Sequence, residues 1–543
     1  MNRDVSAFRD WLVRVTLATP MGVALYRWRN FVDGSKATRI VLKQLAKQSI
    51  IDQQLRTELN SDAHSFEEPL AILDPYGDSP LTAVVVFTTE RPKRISVSLQ
   101  GVDGTGGVEF SFDDHRMKHL IPIYGLLPDA DNLVTLRATD ENGESCTRLV
   151  HIRTEKLPAN LQNVRVDVLQ AKVGSCQPGL TFLYKNRPKF AFDADGRIRW
   201  FLNLPTNMAT LYNFNGHVVT SSGVYLGRSL LYEIDLLGRF YWMGETPYGA
   251  HHEIKEIAGA KLLVTGSRAG PTIKDLLYEF DPTTGGISNV MDFKRILDPA
   301  RPTRNKSNRD WMHLNAIVWS ESDNSIIVSA RNQSAVLKLS YPEGRIKWIL
   351  ANHDGWLPEY VKYLLTPKGN HFEWQHSQHS PIILSEQHDH PGIVDIILFD
   401  NHSFMKRQTL EARSDERFSR VVQYRIDEEA KTVEQIWEFG RERGSDLFTH
   451  HCGQVDSLAN SDLLMYFNLG IGHRADYSRI MEIQRGSGQV MFDAVVYSTA
   501  HHSLGDYRCA RRELYSASDN DLWRLEPCRE NIAQSVARRA NES

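Results

Sequence analysis

Cysteine is scarce in this chain of 543 residues: the five, Cys146, Cys176, Cys452, Cys509 and Cys528, are widely spaced, odd in number and never arranged as C-x-x-C. That pattern suggests neither a disulfide framework nor a cysteine zinc site. Also missing is an apolar run of the roughly 20 residues a membrane span needs. The most apolar stretch near the start, Trp11 to Tyr26, contains Arg14 and Pro20 and lacks the uncharged core and cleavage site of a secretory signal. It reads as an amphipathic leader helix, either packed on the protein's own surface or touching a membrane peripherally. Charge of one sign is not in excess, with 63 Lys and Arg against 67 Asp and Glu and a formal net charge of -4. No basic run with interleaved aromatics occurs, which argues against nucleic acid as the main partner. What remains is a globular composition, 41% hydrophobic and 24% charged, in a chain too long for one ordinary domain.

The pattern divides the chain. Residues 1–65 hold the leader and then a stretch of helix formers from Lys36 to Glu58, predicting a helical N-terminal extension. Residues 66–160 change to short alternating runs, such as Thr82–Phe87, Arg94–Leu99, His119–Ile123, Asn132–Leu136 and Arg148–Ile152, separated by turn clusters. A small β-sandwich is expected there. Over residues 161–530 a turn-plus-aromatic unit recurs, as Asp195-Gly196-Arg197-Ile198-Arg199-Trp200, Leu237-Gly238-Arg239-Phe240-Tyr241-Trp242 and Glu343-Gly344-Arg345-Ile346-Lys347-Trp348, with weaker copies elsewhere. This spacing predicts an all-β architecture, a six-bladed propeller, with the tryptophans serving as blade-to-blade packing. The last unit, Arg512 to Leu525, is incomplete, and Val164–Leu169 is the expected strand that closes the ring. Residues 531–543 form a tail.

Histidine is plentiful. Nine of the twenty stand ahead of apolar runs at the heads of successive repeats: His251 and His252, His313, His376 and His379, His450 and His451, His501 and His502. In a propeller such positions converge on the central channel, giving a polar funnel built from distant sequence. In Asp310-Trp311-Met312-His313-Leu314-Asn315 the alternation turns His313 and Asn315 to one side of an extended segment. Arg331 follows in Ser329-Ala330-Arg331-Asn332-Gln333-Ser334, either as a bidentate anion clamp or as a partner for a carboxylate. Trp374-Gln375-His376-Ser377-Gln378-His379-Ser380-Pro381 adds two Gln-His pairs, and Phe399-Asp400-Asn401 ends a strand. A convergent set of His252, His313, His379 and Arg331 supplies a nucleophile or base beside a cationic anion site.

These motifs, with Leu73-Asp74-Pro75-Tyr76-Gly77-Asp78-Ser79-Pro80-Leu81-Thr82-Ala83 before them, resemble in order those of the bacterial aryl-sulfate sulfotransferases, from about residue 70 onward. The resemblance implies a six-bladed propeller behind a β-sandwich that moves a sulfuryl group from an aryl sulfate donor to a phenolic acceptor, using neither nucleotide sulfate nor metal nor other cofactor. It implies His379 as the histidine transiently sulfated, with His313, Arg331 and His252 around the sulfuryl oxygens. His251, Asn315, His376, Asn401, His451 and His501 are expected to bind substrate. The doubled Gln-His makes His376 a competitor for the nucleophile role. The compartment stays open: the resemblance implies the periplasm, but neither a signal peptide nor a short-loop disulfide is visible, so the cytoplasm stays open beside it. A homodimer is an open partner. Two other readings of the histidine funnel are a non-catalytic anion-binding propeller and a metal-dependent propeller hydrolase, the latter disfavoured by the few carboxylates in the motifs.

Overall fold

The computed structural model describes residues 20–531 apart from 100–106, 173, 186–188, 205, 207–209, 213–215, 223–228, 269, 302–308, 386–391, 404–416, 470–476 and 501–505. Most of the leader, the tail beyond residue 531, and the substrate-binding assignment of His501 therefore lie outside the described residues.

A helix spans Pro20–Asn60. Its face of Val41, Leu45, Leu55 and Leu59 is buried in a core shared with the sandwich and the first two propeller sheets. Polar side chains on the same face fix its position: Gln48 exchanges two hydrogen bonds with the backbone of Phe240, and Asp52 accepts from Tyr76 and Arg239.

In the sandwich, two expected strands are one. Ala83–Leu99 runs 17 residues. Its first half pairs with Leu70–Leu73 and Arg116–Ile123, its second with Val108–Ser111 and Asp131–Thr139. The register breaks between Thr88 and Lys93, where Pro92 lacks the amide proton a continuous ladder needs.

Among the described residues, six further sheets of four or five strands follow. The glycine units form the turns into their fourth strands. Gly196, Gly238 and Gly344 sit at φ of +81°, +89° and +71°, a conformation that costs L-side chains a Cβ clash. Trp200, Trp242 and Trp348 then lie buried at the sheet interfaces, and the indole of Trp200 donates to the carbonyl of Leu236 in the next sheet at 2.9 Å. The first strands of successive sheets, Gly249–Ile257, Leu314–Ser320, His379–Ser385 and Gln454–Ser457, lie against one another, as the inner strands of a propeller do. The apolar runs at Lys261, Ser325 and Leu463 that the sequence set directly behind the histidines are second strands. His251, His252 and His379 stand on the inner strands themselves, and His313, His450 and His451 just ahead of them.

Closure differs from expectation. Val164–Ala171 pairs with Val490–Ser498 as an outer fifth strand of the last sheet. The inner strand of the first sheet is Asp506–Arg512, paired with Leu180–Lys185. Residues Ala517–Arg524 form a 3-10 helix, not a strand, because Ser516 and Asp519 make a reciprocal capping box. Closure brings Arg508 to Glu253 and to the carbonyl of Asn315 (2.9 Å), joining the first, third and fourth sheets. Both partners are under a tenth exposed. Removing one member of a buried pair strands the other's charge at a cost of about 3–5 kcal/mol. Glu253→Ala is therefore expected to lower the melting temperature by several degrees; an unchanged melt would show that the pair does not hold the ring.

Candidate active site

Two backbone distortions build the centre. His252 and His313 have φ of +53° and +52°, a left-handed conformation rare for side chains of this size and concentrated at functional sites. It breaks strand alternation, so the rings of His252 and His313 meet edge to face at 4.8 Å between centroids. Tyr507, carried in by the closing strand, packs against His252 at 5.4 Å and His379 at 6.2 Å. Arg331 lies in a 3-10 turn, Arg331–Gln333, whose end residue Ser334 is also left-handed. Its amide donates to the His313 carbonyl (3.3 Å), and its Nη1 donates to Asn332 Oδ1 (3.0 Å). His252, His313, Arg331 and His379 are thus brought together from three sheets.

Each of the three histidines has its Nδ1 occupied. At His379, Nδ1 lies 2.6 Å from Asn401 Oδ1. The Asn401 amide nitrogen donates to the carbonyls of Thr449 (2.9 Å) and Cys452 (2.7 Å), so its oxygen must face the imidazole and Nδ1 must carry the proton. At His252, Nδ1 meets His251 Nδ1 at 2.8 Å. His251 Nε2 donates to the Gly266 carbonyl (3.0 Å), which makes His251 Nδ1 an acceptor and His252 Nδ1 the donor. At His313, Nδ1 donates to Asp310 Oδ2 (2.7 Å), with Lys274 Nζ 2.9 Å from that oxygen and 3.2 Å from Nδ1. In the neutral ring, all three leave Nε2 as the lone-pair nitrogen.

Burial is the first cause that holds these rings well below the usual imidazole range. For His379 the charges of Arg331 and Arg508 add to it, and for His313 those of Lys274 and Arg331. For His252 the neighbouring His313 and His251 act after burial. The three are neutral at pH 7, hence competent to attack or accept a proton.

The other expected site residues have partners within the protein. His251 is fully buried with both ring nitrogens engaged, one of them on His252, and its proton affinity is pushed down to about 3, chiefly by burial. Asn401 likewise spends its amide on His379 and two carbonyls. Asn315, expected to share a side with His313, is fully buried and donates to the Gln378 carbonyl at 2.9 Å, because the left-handed turn at His313 cancels the alternation. The ring of His376 packs on His402 at 5.3 Å, beside the Asp400–Arg420 pair. His451 meets His450 edge to face, and its charge bears on His379. Sequence reading missed Asp310, Lys274, Tyr507 and the Glu253–Arg508 pair. None of the five cysteines is in a disulfide, and among the described residues no group of three or more His, Cys, Asp or Glu is arranged to hold a metal ion. A surface groove of about 790 Å³ lies elsewhere, between the outer strands Ile287–Asp292 and Ile346–Leu350.

A helical extension, a sandwich and a propeller-like ring of sheets thus converge neutral imidazoles on a guanidinium, the equipment of a group-transfer enzyme for anions. Residues 165–508 match the family model described as Arylsulfotransferase (ASST), and residues 70–155 match the Arylsulfotransferase Ig-like domain. The chain belongs to the arylsulfotransferase family and is an aryl sulfotransferase. It is 24% identical over 520 residues to arylsulfate sulfotransferase AssT of Escherichia coli O6:H1, covering 73% of this chain and 84% of that protein. The protein of the same name from Lelliottia amnigena is 23% identical over 521 residues, with the same coverages. Among solved structures, the Pseudomonas aeruginosa periplasmic gluconolactonase PpgL has a TM-score of 0.31 at 10% identity, over 77% of this chain and 98% of that one. That likeness is too slight to bear on function.

Proposed function

We propose that the enzyme moves a sulfuryl group from a phenolic sulfate ester to a phenol by a ping-pong reaction through sulfated His379, without nucleotide sulfate. The observation that carries this reading is the Asn401 clamp, which dedicates Nδ1 of His379 to a hydrogen bond and aims the lone pair at Nε2. In the first half-reaction Nε2 attacks sulfur, the N–S bond forms, the S–O bond to the aryl group breaks, and the phenolate leaves with that electron pair. Charge growing on Nδ1–H is met by the Asn401 oxygen. Charge on the sulfuryl oxygens is met by Arg331, in a centre where fixed charges act strongly. By analogy with phosphoryl transfer, positioning and cationic stabilisation dominate such a loose transition state. A second imidazole, His313 or His252, neutral in the resting centre, takes up a proton from solvent on Nε2 as the anionic donor binds and passes it to the departing phenolate, returning to its neutral form. It then takes the proton of the acceptor phenol as that oxygen attacks sulfur, breaking the N–S bond and restoring Nε2.

The test is intact-mass measurement after incubation with para-nitrophenyl sulfate alone. The expected result is a gain of one SO₃ per chain, discharged by added phenol. A mass unchanged across a panel of aryl sulfates overturns the covalent route.

A further inference from the structure

The acid–base histidine has a device of its own. Lys274 lies in the loop between the second and third strands of the third sheet. Its amide donates to Ser267 Oγ (2.8 Å), and its carbonyl accepts from the amide of Leu314 (2.9 Å). The adjacent amide of Ile273 donates to the Arg309 carbonyl, also at 2.9 Å. These bonds zip the loop to the segment that leads into the fourth sheet, with Lys274 in the left-handed region at φ +57°, and they use no atom of its side chain. The ammonium is not needed for the zip, yet it sits against the catalytic ring with its side chain 15% exposed and that of Asp310 19% exposed.

Resting on the assignment of His379 as nucleophile, we propose that Lys274 and Asp310 form an opposed ion pair whose balance sets the proton affinity of His313, making both positioning residues for the acid–base step. The carboxylate, 2.7 Å from Nδ1, favours the imidazolium. The ammonium, 2.9 Å from the same oxygen and 3.2 Å from Nδ1, opposes it. Among the described residues, the other charged or titratable groups facing His313 are Arg331, His251, His252 and His379, with Tyr507 beyond His252. None of these supplies an anion at neutral pH, so Asp310 is the counterweight to Lys274 and Arg331 at this ring. A donor sulfate adds negative charge to the centre and tips the balance toward protonation when the departing phenolate needs it. The Nδ1 of His252 meets the neutral His251, and among the described residues no carboxylate is hydrogen-bonded to that ring, which assigns the acid and base role to His313.

The pair predicts opposite signs for its two halves. Lys274→Met removes the charge that opposes protonation and raises the proton affinity of His313; Asp310→Asn removes the charge that favours it and lowers it. In profiles of kcat/KM against pH, the limb owned by His313 is expected to move up by about 1–2 units in the first variant and down by a similar amount in the second. The double variant should return close to the wild-type limb. Limbs that stay put, or move the same way, while activity falls would reduce the pair to a structural role and overturn the proposal. Should Asp310→Asn fail to fold, an unmoved limb in Lys274→Met overturns it alone. Intact mass with para-nitrophenyl sulfate, a donor whose leaving group needs little protonation, separates the two readings. No adduct in the wild type removes the His379 route, whereas adducts in every variant with unmoved limbs remove only this one.

Discussion

Replacing His379 with alanine is expected to abolish both turnover and the sulfated protein, a loss of about 10⁴-fold or more in kcat, as for other covalent nucleophiles. His376→Ala should keep the adduct and lose about tenfold or less in kcat/KM, the scale of a changed contact. The sequence gives the two pairs the same Gln-His form, but their surroundings differ. His379 begins an inner strand, has its tautomer fixed by Asn401 and faces Tyr507. The His376 amide donates to Asp400 Oδ1 and its ring lies on His402, which is itself stacked on Phe418 at 4.2 Å and flanked by Asp400 and Glu373. The His376 ring thus packs beside an ionic cluster, and its loss is expected to change the neighbourhood more than the chemistry. Intact mass and steady-state rates on both variants decide. A stable adduct in His379→Ala with none in His376→Ala reverses the assignment.

How far the chain was legible follows from where its information is local. Turn glycines and buried tryptophans repeat at blade spacing, so the β-sheet architecture could be read from one unit after another. Ring closure could not: Asp506–Arg512 lies opposite Leu180–Lys185 only after every sheet has formed, and no short-range pattern marks a strand for a partner more than three hundred residues away. The convergence of His252, His313, His379 and Arg331 was legible because each stands in a compact motif. Asp310 stood in one of those motifs, three residues before His313, and its weight could have been seen from that spacing. Lys274 and Tyr507 had no such signal, since they reach the imidazoles from a loop and a closing strand distant in sequence. Alternation failed where the backbone leaves the extended region. The positive φ of His252 and His313 turns rings that a regular strand would have sent elsewhere, and the register shift between Ala250 and Ile254 marks the same departure.

Arg331→Lys should cost about 10²–10³-fold in kcat with a smaller change in KM, equivalent to about 3–4 kcal/mol of transition-state stabilisation. Arginine is suited to this position by shape as well as charge. Its planar fork can hold two sulfuryl oxygens at once while another nitrogen stays on Asn332 Oδ1, whereas the compact ammonium of lysine can reach only as a point charge. The residue is 5% exposed and tied through its amide to the His313 carbonyl, so the fork is held in place before the donor arrives. Charge on the sulfuryl oxygens and leaving group is redistributed as the S–O bond opens, and a preformed clamp acts on that change more than on the resting ester. The loss should therefore fall on kcat. Arg331→Met adds a second signature. The guanidinium is the first charge after burial that holds His379 below the usual imidazole range and acts on His313 as well, so its removal should move the acid limb of the rate profile toward higher pH. A variant that raises KM alone, with kcat and the pH profile unchanged, would make Arg331 a ground-state anchor and return the stabilisation of the transition state to the histidines.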